Sequence, residues 1–210
     1  MKHINIVGII ILLSISSCSA VNTPSNVRVG PSKEIKLTIT EETIIDLNIT
    51  AGDVIIESSL GSQLRAEMTV ECPGINSQCA KKMAGLEFVQ FSEGEHLSLA
   101  TNRDSFVQHY NASLKMKIFV PKSQRLNINM GAGELKLNNV DSCLGVEMSA
   151  GEININMNHS MIASVNLDTA FGDASLNVNG IYQNGNRSWL VGEEVHWNQG
   201  VGHCEMDVDI

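Results

Sequence analysis

From about Glu34 to the C-terminus, apolar and polar residues alternate with a period of two, the pattern of strands with one packed and one solvated face. The alternation recurs around five glycines: Gly52, Gly133, Gly151, Gly172 and Gly202. Seven residues before them stand Ile45, Leu126, Leu144, Val165 and Val195, and five before them Leu47, Ile128, Val146, Leu167 and Trp197. Two residues after come Val54, Leu135, Ile153, Ala174 and Cys204, and four after come Ile56, Leu137, Ile155, Leu176 and Met206. Three before the glycine, Ile49, Met130 and Met148 keep the apolar rule, while Thr169 and Gln199 break it. The positions between are polar, with Asn48, Asn129, Glu147, Asp168 and Asn198 four before the glycine and Glu57, Asn138, Asn156, Asn177 and Asp207 five after it. Each repeat therefore predicts a strand, a corner and a second strand, with glycine at a bend that needs a positive φ.

Gly133 and Gly151 lie 18 residues apart, and Gly151 and Gly172 lie 21 apart. Such spacings suit one coil of a β-solenoid, in which equivalent residues stack about 4.8 Å apart. The expected fold is all-β, a parallel β-helix-like solenoid with about 18–21 residues per coil in the C-terminal half and a less regular N-terminal half. Asn is a poor strand former, so its recurrence at outward positions points to amide ladders or a binding surface. Between Leu64 and Val120 the register is less regular, and Ser92-Glu93-Gly94-Glu95 between apolar runs predicts a hairpin.

The run Met116–Pro121 followed by Leu126–Leu137, then Ser149-Ala-Gly-Glu-Ile-Asn-Ile155 and Phe171-Gly-Asp-Ala-Ser-Leu176, resembles the bacterial putative adhesin family of exported β-helical domains. The resemblance covers roughly Lys36 to Ile210. It implies the fold first and an adhesive role second, and it brings no catalytic residues with it.

A different pattern opens the chain. Lys2 and His3 precede an apolar run from Ile4 to Leu13, interrupted only by Asn5 and Gly8. A membrane span needs about 20 apolar residues, so this run reads as the core of a secretory signal. Ile15-Ser16-Ser17-Cys18 behind it resembles the bacterial lipobox, which makes residues 1–17 a lipoprotein signal peptide and Cys18 the lipidated N-terminus; cleavage after Cys18-Ser19-Ala20 is the alternative. Several acyl chains, at about 0.8 kcal/mol per buried methylene, would anchor the protein stably to a membrane. Ser19, not Asp, follows the cysteine, which by resemblance to lipoprotein sorting suggests the outer membrane of a Gram-negative bacterium. Residues 18–33, rich in Pro, Ser and Asn, read as a flexible tether of about 20 Å, and residues 34–210 as the folded domain.

Export puts the remaining cysteines, Cys72, Cys79, Cys143 and Cys204, in an oxidising compartment. Cys72 and Cys79 bracket the turn-rich Pro-Gly-Ile-Asn-Ser-Gln and are expected to form a disulfide that contributes roughly 2–3 kcal/mol. Cys143 and Cys204 are left to each other, yet two stacked coils would hold them about 9.6 Å apart, whereas a bridge needs Cα atoms within about 7 Å. Either the segment from Gly172 to Gly202 brings the last strand back beside Cys143 or these thiols stay apart.

The chain carries a formal net charge of −9. That sign repels phosphate backbones and excludes nucleic acid as an expected partner. Just after the glycines stand Asp53, Glu134, Glu152, Asp173 and His203. Stacked like charges repel, and calcium at the four carboxylates would relieve them, though solvated turn carboxylates need no cation and the spacing does not match the calcium-binding nonapeptide repeat. The last repeat departs in His196, Trp197, Gln199, His203 and Cys204, as a terminal capping unit does, and His96, His109 and His159 stand alone in the sequence. No HExxH, HxH or Gly-x-Ser-x-Gly pattern occurs, so neither a cofactor nor a catalytic residue is expected. The function that follows is a non-catalytic envelope lipoprotein for adhesion, scaffolding or ligand binding, with an envelope glycan or protein as partner. The competing reading is a carbohydrate-active enzyme on a β-helix, which would need a mixed-charge cluster where the repeat breaks.

Overall fold

The glycine-centred repeats dictate the middle of the fold. The computed structural model describes residues 28–29, 32–72, 77–102, 112–122, 124–140, 143–157, 162–168, 172–184, 186–188, 192–202 and 204–209. Residues 1–17, read above as a signal peptide, and Cys18, Thr169, Phe171, His109, His159 and His203 lie outside them. The strands are β1 (Arg28–Val29), β2 (Lys33–Thr38), β3 (Ile44–Ser59), β4 (Gln63–Cys72), β5 (Phe88–Glu93), β6 (His96–Thr101), β7 (Ser113–Pro121), β8 (Arg125–Asn138), β9 (Leu144–Met157), β10 (Ile162–Asp168), β11 (Gly172–Val178), β12 (Ile181–Asn184), β13 (Asn186–Ser188), β14 (Gly192–Trp197) and β15 (Cys204–Asp209). One short helix, α1 (Ser77–Met83), follows β4. Among the described residues no helix is long and apolar enough to cross a membrane.

Strands β3, β8 and β9 run parallel and in register along nearly their whole lengths, so that Gly52, Gly133 and Gly151 are neighbours. β11 extends the second half of this stack, with Gly172 beside Gly151. The apolar columns stack as the sequence pattern requires: Ile45, Leu126 and Leu144 before the corner, and Val54, Leu135, Ile153 and Ala174 after it, are all buried. Odd-numbered residues of β3 are buried before Gly52 and even-numbered ones after it. The corner thus slips the pleat by one residue, which lets both arms face the same core. Met116 and Ile118, beside the second arm of β3, line a small gap together with Leu47, Ile49 and Leu99 of the first arm and β6.

The bend must be sharp. β8 has 14 residues and would span about 45 Å if straight, yet residues 139–143 alone return the chain from its end to the start of β9 beside Leu126. Five residues reach no more than about 20 Å. Asn139, at φ 52°, starts this return and donates its N–H to the Asn156 carbonyl at 2.7 Å.

The regular β-solenoid expected from the spacing is not what the chain builds. The sheet is mixed, with parallel strands at its centre and antiparallel strands on both sides. On one side, β4 pairs antiparallel with β7, β2 and β1, and β5 forms a hairpin with β6 across Gly94. β1 and Lys33 of β2 fall within the stretch read as tether. On the other side Gly202 does not join the glycine column: β14 runs antiparallel to β10, and β15 is wedged parallel between β9 and β10. The reason is that a period of two fixes which side chains are buried, not which strand lies alongside or in which direction it runs. Val195, Trp197 and Cys204 are indeed buried, as their alternation demands, but in pairings that the repeat alignment did not contain.

The same wedge settles the cysteines. β15 returns beside the start of β9, with Asp207 opposite Gly145, and brings Cys204 to a Cα–Cα distance of 5.1 Å from Cys143, to which it is bonded. Cys72 and Cys79 are also bonded, with Cα atoms 6.0 Å apart, through a loop that includes the start of α1.

Gln124 is a buried polar residue that the pattern did not flag. Its Nε2 lies 2.9, 3.2 and 2.5 Å from the carbonyl oxygens of Thr40, Glu41 and Thr43, its two protons shared among the three, and so fixes the turn that leads into β3. Gln124→Met keeps most of the volume but takes the shared donor from these three carbonyls and frees the turn. It is expected to lower stability by about 1–3 kcal/mol, read as a shift of the thermal midpoint.

Candidate functional site

The solvated face of the first arms is built from the side chains that alternate with the core. Across β6, β3, β8 and β9 the strand register lays out Ser98, Asp46, Asn127 and Gly145 in one row, and Asn48, Asn129 and Glu147 in the next. These residues line an open groove of about 550 Å³. Backbone pairing sets neighbours within a row about 4.8 Å apart and the rows about 7 Å apart, so the polar groups sit on a rigid grid.

Three hydrogen bonds orient its side chains. His96 Nδ1 and Asn127 Nδ2 each lie 2.7 Å from the Asp46 carboxylate, one on each oxygen, and Asn48 Nδ2 donates to Ser98 Oγ at 3.1 Å. His96, which stands alone in the sequence, is therefore tied to Asp46 through strand pairing that sequence spacing does not reveal. Asn129 and Glu147 are exposed. Gly145 occupies the position filled by Asp46 and Asn127 in the two neighbouring repeats. A Cβ there would meet nothing nearer than Asn127 Oδ1 at 3.5 Å, an ordinary contact, so the backbone does not require glycine. What the missing side chain does is lower the floor of the groove.

The second arms carry a different surface. Asp53, Glu134, Glu152 and Asp173 stand side by side in register, the acidic column expected from the sequence. Lys136 answers part of that charge with an ion pair to Glu134 at 2.5 Å. The hydrogen bond that it donates to Glu134 holds the Lys136 ammonium above the usual lysine range, helped by the charges of Glu134, Glu152 and Asp53. Further along, Asn154 Nδ2 donates to Glu152 at 2.8 Å and Ser175 bonds Asn154. Lys117 pairs with Glu57 at 3.0 Å and Lys115 with Glu71 at 3.0 Å. Among the described residues no three His, Cys, Asp or Glu side chains converge in a way that could hold a metal ion.

Lateral bonding in the outward columns is selective. Asn127 reaches across to Asp46 and Ser175 to Asn154, whereas Asn177 turns back on its own strand end, its Oδ1 accepting from Gly180 N at 2.8 Å. At the far side of the sheet, His196 bonds both Asn166 and Glu194, and Trp197 is packed in the core. These are the contacts of a terminal unit closing a sheet.

No family model and no curated protein matches the chain. Among solved structures it is similar to a putative cell adhesion protein from Clostridium sporogenes, at 14% identity over 86% of this chain and 94% of that one, with a TM-score of 0.41. It is also similar to a putative adhesin from Parabacteroides distasonis, at 9% identity over 71% of this chain and 65% of that one, with a TM-score of 0.27. A putative lipid binding protein from the same organism gives 14% identity over 73% and 74% of the two chains and a TM-score of 0.29.

Proposed function

We propose that this protein is a non-catalytic lipoprotein of the bacterial cell envelope, anchored through Cys18, that presents the polar face of its repeat as a binding surface for adhesion or scaffolding. The observation that carries this reading is the groove on the first arms. Its side chains are repeated, mutually hydrogen-bonded and displayed on a rigid parallel grid. That is an arrangement suited to holding a ligand. Catalysis calls for a constellation of acid, base or nucleophile, and the groups the groove repeats, the amides of Asn48, Asn127 and Asn129, are none of these. The runner-up, a polysaccharide-processing enzyme, would place paired carboxylates across a cleft. The groove's Asp46 is engaged by His96 and Asn127, and the strand that breaks the repeat, β15, sets Asp209 in register beside Glu147 in the same sheet, not across a cleft from it.

Two measurements test this reading. Mass spectrometry of the native N-terminal peptide is expected to show an acylated Cys18; an unmodified peptide beginning at Val21 contradicts the anchor. Incubation with envelope polysaccharide is expected to give retention without any change in chain length, and time-dependent shortening contradicts the non-catalytic assignment.

A further inference from the structure

We infer that the groove over Gly145 is a subsite for a hydroxyl-rich, amine-bearing saccharide, an inference that rests on the ligand-binding reading above. Its oriented side chains present mainly acceptors. Asn127 turns its Nδ2 to Asp46 and leaves its Oδ1 on the Gly145 side, the atom nearest to where a side chain would begin. Asn48 turns its Nδ2 to Ser98, which leaves its Oδ1 on the side away from β6. The exposed carboxylate of Glu147 adds a third acceptor and a negative charge.

Among the described residues no Lys or Arg lines the groove, so it offers an anionic ligand no counter-charge. Among the described residues no aromatic ring lines it either, and an apolar ligand would find there the edges of Leu47, Ile128 and Val146. A ligand rich in O–H and N–H donors satisfies the acceptors, and a protonated amine finds Glu147, because the Asp46 charge is already shared between His96 and Asn127. The volume, about 550 Å³, lies in the range of roughly 300–1,000 Å³ that small-ligand sites occupy. Gly145 supplies the second, independent sign of a site: it is the one position in its row where a side chain is missing although the backbone would accept one.

The test is calorimetric titration of the detergent-solubilised, full-length protein at low salt, with the amine kept protonated. The probes are tetramers of glucosamine, N-acetylglucosamine and galacturonic acid, with spermine as an amine that lacks hydroxyls. The glucosamine tetramer is expected to bind, the N-acetylated one about 5-fold more weakly, as for loss of an exposed ion pair, and the uronate and spermine not measurably. Gly145→Thr fills the floor and is expected to weaken glucosamine-tetramer binding at least 10-fold at an unchanged melting temperature. Asn129→Ala, at an exposed position, is expected to weaken it without touching the backbone, and Glu147→Gln to abolish the preference for the free amine. Binding that survives Gly145→Thr and Asn129→Ala, or spermine binding as tightly as the tetramer, overturns the inference. If no saccharide binds while envelope material is still retained, this inference fails and the ligand-binding reading stands; if neither is held, both fall.

Discussion

Replacing Gly151 by alanine is expected to remove a large share of the domain's stability, whereas the same change at Gly145, six residues earlier on the same strand, is expected to be nearly neutral. Gly151 sits at φ 140°, where an L side chain is strained by about 1–3 kcal/mol. A Cβ there would also run into the carbonyl oxygen of Gly133 in the next strand and the tip of Met148. The carbonyl is backbone in an in-register stack and cannot swing aside, and overpacking of this kind costs about 1–3 kcal/mol more. Together these reach several kcal/mol against a total of about 5–15 for a domain. Gly133 and Gly172 are crowded in the same manner, each by the carbonyl of the glycine before it in the stack. Urea denaturation of the two variants separates the cases. A Gly151→Ala midpoint close to wild type would mean that the glycines do not form a close-packed column.

Removal of the Cys143–Cys204 bridge is expected to be the most damaging change outside the corners. The two residues are 61 apart in sequence, so the loop-entropy model assigns the crosslink about 4 kcal/mol, against about 2.5 kcal/mol for Cys72 and Cys79 at a separation of 7. Position adds to length. β15 is the last strand, and it is hydrogen-bonded to β9 on one side and β10 on the other. Freeing its N-terminal end loosens the β10 ladder, which starts at Cys204, and leaves β15 held to β9 only through Asp207–Asp209. In Cys143→Ser/Cys204→Ser, hydrogen exchange is expected to rise through β10 and β15 before it rises in β3 and β8. If the double variant at Cys72 and Cys79 is the less stable of the two, the wedge is not what holds the C-terminal half together.

How far the sequence reaches can be seen at these same residues. The inward columns through Ile45, Leu126 and Leu144, and through Val54, Leu135 and Ile153, were legible because burial imposes a period of two and the glycine imposes a fixed phase. Even the 81-residue jump from Gly52 to Gly133 was legible, since its flanks match position by position. The fifth repeat misled. Val195, Trp197 and Cys204 obey the alternation, but the segments around them pair in different directions, β14 antiparallel and β15 parallel to β10. Nothing in a list of inward and outward positions distinguishes these choices, because strand direction is decided by connection geometry. The groove was half legible. Asn48, Asn129 and Glu147 were marked as outward, yet Asp46, Ser98 and His96 come together only because β6 pairs with β3, across about fifty residues of chain whose pattern carries no repeat. Gly145 was invisible as a feature, since an absent side chain acquires meaning only beside its filled neighbours.

The central claim is that the repeat face holds a ligand without transforming it. Its most direct test is retention of fragmented envelope glycan by the immobilised full-length protein, wild type beside Gly145→Thr and Asn129→Ala, with the bound material eluted and sized. The expected result is glycan retained at its original length by the wild type and lost from both variants; equal retention by all three, or elution of shortened chains, would contradict it.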